Sequence, residues 1–149
     1  MNKQNEMQLT LESRSVNEGF ARATVAAFAA QLDPTIEEIN DIKTVVSEAV
    51  TNAIVHAYPD RCGRIALICR IYEGGVLEIV VRDKGVGIPD VDKAREPLYS
   101  TGGEDRAGMG FTIMESFTDG LRVTSRPGKG TCVKMRKTIA PRMRSRRAG

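Results

Sequence analysis

The sequence has no apolar run approaching the roughly 20 residues that a membrane-spanning helix needs. Its opening residues, MNKQNEMQL, lack the apolar stretch of a secretory signal. Both absences lead us to expect a cytoplasmic protein with no membrane contact. One histidine, His56, and three cysteines, Cys62, Cys69 and Cys132, are present, and none of the cysteines forms a CxxC pair. A zinc site draws on about four Cys or His ligands at short spacing, and a disulfide framework on an even number of thiols. Neither is expected; Cys69 and Cys132 fall in strand-like runs and Cys62 in a loop. There is no GxxxxGK[ST] phosphate loop and no HRD or DFG set, which excludes Walker-type and HRD-type phosphoryl transfer.

Acidic residues are missing from the C-terminal end. Seven of the 22 basic residues lie from Lys134 onward without one acidic neighbour, so 15 of the 22 remain to face all 19 acidic residues. The formal charge of +3 therefore describes a basic tail on a mildly acidic domain. We expect one domain over residues 1–138 and a basic, disordered tail over 139–149, a solvated terminus with no aromatic or groove-reading pattern. Direct nucleic-acid binding is not expected. A chain of 149 residues, 41% hydrophobic and 28% charged, suits a single core.

Met7, Leu9 and Leu11 alternate with polar residues, as in a strand. Ser15 and Glu18 are spaced as a capping box for a helix reaching about Leu32, where Asp33-Pro34 breaks the chain. Thr35 and Glu38 form a second box, and the helix they start ends near Ala57, before Pro59. Arg64 to Tyr72 and Val76 to Arg82 are β-rich runs joined by Glu73-Gly74-Gly75, which predicts a hairpin. A polar stretch follows, Asp90 to Ala107, long enough to act as a lid. Helical pattern returns from about Met109 to near Thr118, and two last strands, Leu121 to Ser125 and Thr131 to Thr138, flank a Pro-Gly turn. The order β-α-α-β-β-lid-α-β-β predicts an α+β, two-layer sandwich with one sheet covered on one face.

Three segments carry candidate chemistry. Glu48, Asn52 and His56 are four residues apart in an otherwise apolar helix, and successive steps of four return within roughly 40° of one direction. Burying a carboxylate, an amide and an imidazole is costly without partners, so this stripe meets either internal partners or a ligand. Asp83-Lys84-Gly85-Val86-Gly87-Ile88-Pro89 follows a strand, giving a carboxylate that can accept from an exocyclic amine and glycines that allow close backbone approach. Gly108-Met109-Gly110-Phe111 leads into a helix whose first N–H groups and dipole suit phosphate.

In this order, with Gly130-Thr131 at the end, the segments resemble the Bergerat-type ATP-binding fold of the GHKL superfamily: gyrase-type ATPases, Hsp90, histidine kinases and MutL. The resemblance runs from Met7 to Thr138 and implies a mixed, mostly antiparallel sheet. Histidine kinases carry their phospho-accepting histidine on a separate helix, whereas His56 lies inside the nucleotide helix and reads as a structural residue. The stretches IKTVVSEAVTNAIVHAY (Ile42 to Tyr58), VRDKGVGIPD (Val81 to Asp90), REPLYST (Arg95 to Thr101) and GMGFTIMESF (Gly108 to Phe117) are similar to the sporulation anti-sigma F family of serine kinases.

That resemblance implies roles. Asn52 would bind ATP through Mg²⁺, Asp83 would take the adenine amine with Thr131 helping through water, and Gly85, Gly87 and Ile88 would frame the base. Gly108, Met109 and Gly110 would donate N–H groups to phosphates, Glu48 would be the catalytic base, and Arg106 would stabilise charge on the γ-phosphoryl group. Arg22 would contact partners: a sigma factor of the sporulation sigma F type and an anti-anti-sigma protein phosphorylated on serine. The family implies a homodimer. The alternatives are a general-stress anti-sigma serine kinase and a nucleotide-dependent sigma-binding module without kinase activity.

Overall fold

The computed structural model describes residues 1–96 and 107–140, without the side chains at 107 and 108. Five strands, β1 (Lys3–Glu12), β2 (Arg64–Tyr72), β3 (Val76–Asp83), β4 (Gly120–Arg126) and β5 (Gly130–Thr138), form one sheet among these residues, in the order β1-β2-β3-β5-β4. All four pairings are antiparallel. Strand side chains alternate between faces, and the register aligns two apolar rows: Leu9–Leu67–Val81–Val133–Val123 and Met7–Cys69–Ile79–Met135–Leu121. Burial pushes the Cys69 thiol up to about 12, so it serves as a small apolar core residue rather than a nucleophile. One step further along the same face lie Leu11–Ile65–Asp83 and Thr131–Ser125. The inward row thus turns polar at one end of the sheet.

Among the described residues helices cover that face only, which confirms the expected two-layer α+β architecture. α1 (Val16–Ala29) continues as a 3₁₀ turn to Leu32 and buries Ala21, Val25 and Ala29. The box expected at its start does not form. Ser15 has helical dihedrals (φ −58°, ψ −31°), which take its hydroxyl away from the Glu18 N–H; that N–H meets the Ser15 carbonyl instead. The Glu18 carboxylate turns to Arg22, 3.6 Å away. At α2 (Ile36–Asn52) the box does form: Thr35 is extended, its Oγ1 accepts from Glu38 N at 3.0 Å, and Glu38 Oε1 accepts from Thr35 N at 2.8 Å. α2 buries Ile42, Val45, Val46, Ala49 and Val50 and then widens into a π turn, Ala53–Ala57. The described part of the polar stretch after Pro89 contains a helical turn, α3 (Val91–Ala94), capped by Asp90 Oδ1 accepting from Lys93 N. Gly102-Gly103 and Arg106 lie outside the described residues. α4 (Ala107–Ser116) buries Phe111 and Met114 against the core.

The outer sheet face carries a charge ladder instead of a second helix layer. Glu6, Arg70, Glu78 and Arg136 stand side by side on β1, β2, β3 and β5. Ion pairs of 3.0 Å join Arg70 to Glu6, Arg70 to Glu78, and Arg136 to Glu78. Hydrogen bonds from Lys3, Gln8 and Arg70 lower the Glu6 carboxyl to about 2. Glu78 is 1% exposed; burial raises its carboxyl, but the two arginines outweigh burial and leave it below the ordinary carboxylate value. A depressed carboxyl stabilises the fold above its unfolded value and loses that contribution as pH falls through the folded one. Glu78→Gln should cost about 2 kcal/mol at pH 7 and lose less stability than the parent between pH 7 and pH 3, as read by urea midpoints. An equal loss in both proteins would show that Glu78 does not set this acid sensitivity.

Candidate active site

Where the inward row turns polar, the helix layer leaves a cavity of about 290 Å³. Asn52, His56, Asp83, Gly87, Ile88 and Thr131 line it together with apolar groups that include Val81, Phe111 and Val133. Asp83, at the end of β3, is 7% exposed. Its Oδ1 accepts from Gly85 N at 2.9 Å and Thr131 N at 3.1 Å. Burial raises its carboxyl above the ordinary value, and those two backbone bonds offset only part of the rise. Both bonds fall on Oδ1.

The loop after Asp83 is held against the end of α2. Val86 N donates to the Ala57 carbonyl at 2.9 Å, and a side chain at Gly85 would overlap that carbonyl. Gly87 has φ +80°, in the left-handed region, with its α-carbon facing the Arg126 carbonyl. Tyr58 fastens the base of the loop: its hydroxyl accepts from Lys84 N at 2.7 Å and donates to the Arg64 carbonyl at 2.8 Å.

Ser125 was not among the expected site residues, yet it organises the far wall. Its Oγ donates to the Gly130 carbonyl at 2.9 Å, accepts from Ile88 N at 2.8 Å and lies 2.8 Å from Thr131 Oγ1. A hydroxyl has one proton. With that proton on Gly130, Thr131 must donate to Ser125, which leaves the Thr131 oxygen as an acceptor on the cavity side. The readable signal was its inward position, two residues after Val123.

At the opposite end, α4 meets α2. A Cβ added to buried Gly110 would lie 3.1 Å from Glu48 Oε1 and 3.3 Å from Asn52 Nδ2. Asn52 Nδ2 is buried and has no hydrogen-bond partner. An orphaned buried amide is costly and marks a place where a ligand completes the bonding. Gly108 and Gly110 sit in the first turn of α4, and Met109 between them is exposed. The three polar residues of α2 do not share one space. Asn52 and His56 line the cavity, whereas Glu48 lines a separate groove between α1 and α2 that also holds Arg22. His56 lies on the widened turn, which departs from the four-residue repeat linking Glu48 to Asn52.

A family model for the histidine kinase-like ATPase domain matches residues 9–137. The anti-sigma F factor of Geobacillus kaustophilus (strain HTA426) is 58% identical over 137 residues, covering 91% of this chain and 94% of its own. The chain belongs to the anti-sigma F factor family. The anti-sigma F factor of Clostridium acetobutylicum is 51% identical over 138 residues, covering 92% of this chain and 96% of its own. Among solved structures, the RsbU and RsbW domains of Rv1364c from Mycobacterium tuberculosis superpose with a TM-score of 0.67 at 20% identity, over 91% of this chain and 33% of that one. The mycobacterial sensor histidine kinase MprB gives 0.57 at 16% identity, over 90% of this chain and 100% of its own. These two show a shared fold. Among the described residues no helix is long and apolar enough to cross a membrane, and no cluster of potential metal ligands occurs.

A raised Asp carboxyl costs folding stability once pH exceeds its folded value, and the cost disappears below the ordinary value. Asp83→Asn retains the Oδ1 acceptor for both backbone N–H groups. The free variant should therefore match or exceed the parent in urea midpoint at pH 7.5, and any advantage should vanish near pH 3. A lower midpoint at pH 7.5 would overturn this reading of Asp83.

Proposed function

We propose that the protein holds a sigma factor of the sporulation sigma F type in an ATP-dependent manner and phosphorylates an anti-anti-sigma protein on serine. Membership in the anti-sigma F factor family supports the sigma partner. The observation that carries the nucleotide reading is the run from the Asp83 carboxylate, at one end of the cavity, to the unpartnered Asn52 amide beside Gly110 at the other. The two ends differ as the two ends of a nucleotide do: one is flat, apolar and amine-accepting, the other sits at a helix N-terminus.

Asp83 Oδ2 accepts the adenine amine, Thr131 assists through water, and Gly85, Gly87 and Ile88 lie against the base. The first-turn N–H groups of Gly108, Met109 and Gly110 donate to phosphate oxygens. Asn52 suits Mg²⁺, since a half-turn of its amide puts Oδ1 at the orphaned position and this ion takes few protein ligands beside water and phosphate. Bound there, Mg²⁺ would neutralise phosphate charge. Glu48, one turn before Asn52, orients the serine hydroxyl and takes its proton. Arg106 is assigned to the γ-phosphoryl group from the sequence, and Arg22 to partner contact; Arg22 stands on the exposed side of α1, with only Glu18 as ion-pair partner among the described residues. The protein works as a cytoplasmic homodimer; Ile139, expected at the start of the tail, instead belongs to the domain, buried in the core with its N–H donated to the Gly75 carbonyl. A phosphoserine adds roughly −1.5 to −2 charge to the antagonist and weakens its hold.

Glu48→Gln should bind ATP normally and lose phosphotransfer by about 10²-fold or more; normal transfer would remove Glu48 as the base, and absence of transfer in the parent would leave a sigma-binding module without kinase activity. Asn52→Ala should abolish the magnesium-dependent part of ATP affinity in calorimetry, and unchanged heats would contradict the metal assignment. Arg22→Ala should bind ATP yet fail to retain sigma in a pull-down, and full retention would confine Arg22 to its pairing with Glu18.

A further inference from the structure

We infer that the outer sheet face over β3, β5 and β4 binds the phosphate backbone of duplex nucleic acid without reading its sequence. No acidic residue follows Asp119 in the chain, so β4 and β5 bring only cations to the sheet. The register gathers them into a band. Arg122 stands directly opposite Lys134, Arg136 is one step away on the same face of β5, and Arg82 of β3 lies opposite Cys132. Toward one end of the band Arg82, Lys84, Arg126 and Lys129 line a groove of about 330 Å³. Toward the other, Arg122, Lys134 and Arg136 line a second of about 480 Å³. The linear sequence conceals this band, because its cations come from two hairpins separated by α3 and α4.

Like charges directly opposite one another on neighbouring strands are destabilising, and the domain leaves these without countercharge. Among the described residues, the ion pairs on this face belong to Arg70 and Arg136, and Arg82, Lys84, Arg122, Arg126, Lys129 and Lys134 form none. The acidic groups at the rim are engaged: Glu78 is held by Arg70 and Arg136, and Asp119 Oδ2 accepts from Thr138 N at 2.6 Å. An anionic occupant supplies what is missing. β4 spans seven residues, about 20 Å of strand, so that occupant is extended and repeats its charge, as a phosphodiester chain does and a single phosphate does not. β3, β4 and β5 contain no aromatic residue, which removes the stacking platform that single strands use. Among the described residues, no large exposed apolar side chain lies on these strands either, so a protein partner would find no anchor. A second copy of the chain seated face to face would set cation against cation. Backbone contact with a duplex is the match, and such contacts position a protein without specifying sequence.

Fluorescence anisotropy with the full chain and a labelled DNA duplex of mixed sequence tests this. Log affinity should fall against log salt with a slope of about −4, equivalent to roughly four or five phosphate contacts. Arg122→Gln combined with Lys134→Gln should make that slope shallower by about 2 and weaken binding about 10-fold or more at low salt. The same variant should keep or raise Tm, because a like-charge pair has been removed, so the loss of binding cannot be put down to unfolding. Arg82→Gln combined with Arg126→Gln should act alike at the other groove. A slope unchanged by both pairs of substitutions would assign the binding to the basic residues beyond Ala140 and overturn the face. Tighter retention of polyglutamate than of duplex at equal charge would make the occupant an acidic protein, and absence of duplex binding by the parent at low salt would overturn the proposal outright. None of these outcomes depends on nucleotide binding or kinase activity.

Discussion

The candidate site depends on one buried carboxylate oxygen. Asp83 Oδ1 gathers N–H groups from Gly85 and Thr131, and so ties together the end of β3, the loop beyond it and the start of β5. Burying an ionised group is expensive, and two backbone donors lower that cost without removing it. The remaining strain is useful: a ligand amine that meets Oδ2 relieves it. Ligand recognition at this end of the cavity and local stability would therefore draw on the same few bonds.

Sheet register puts that oxygen where it is. The rows headed by Leu9 and Met7 are apolar across all five strands, and the next row along ends in Asp83, Thr131 and Ser125. Period-two alternation made the strands legible, as did the Thr35 box, the hairpin at Gly74-Gly75 and the glycines after Asp83. The Ser15–Glu18 spacing misled because a spacing does not specify backbone dihedrals, and Ser15 is already helical. Nothing in AIVHA announces a π turn, since that choice depends on where Tyr58 and Ala57 are held by other parts of the chain. Ser125 was overlooked because a strand serine is chemically unremarked until its neighbours are known. Glu48 and His56 were placed on one stripe with Asn52, and the fold distributes them over two spaces.

That distribution separates two tasks along one helix. The widened turn that follows α2 faces the cavity at the polar end of the sheet, and the regular turn before it faces the groove beside α1. Gly110 lets α4 approach both at once. Ligands in the two spaces would then be sensed by adjacent turns of the same rigid element.

Tyr58 has a wider mechanical effect. One hydroxyl grips the amide of Lys84 and the carbonyl of Arg64, so the end of α2, the root of β2 and the tip of β3 share a rivet. The Asp83 end of the cavity is consequently held rigid, and any change of shape on ligand binding falls to the opposite end, where α4 meets α2.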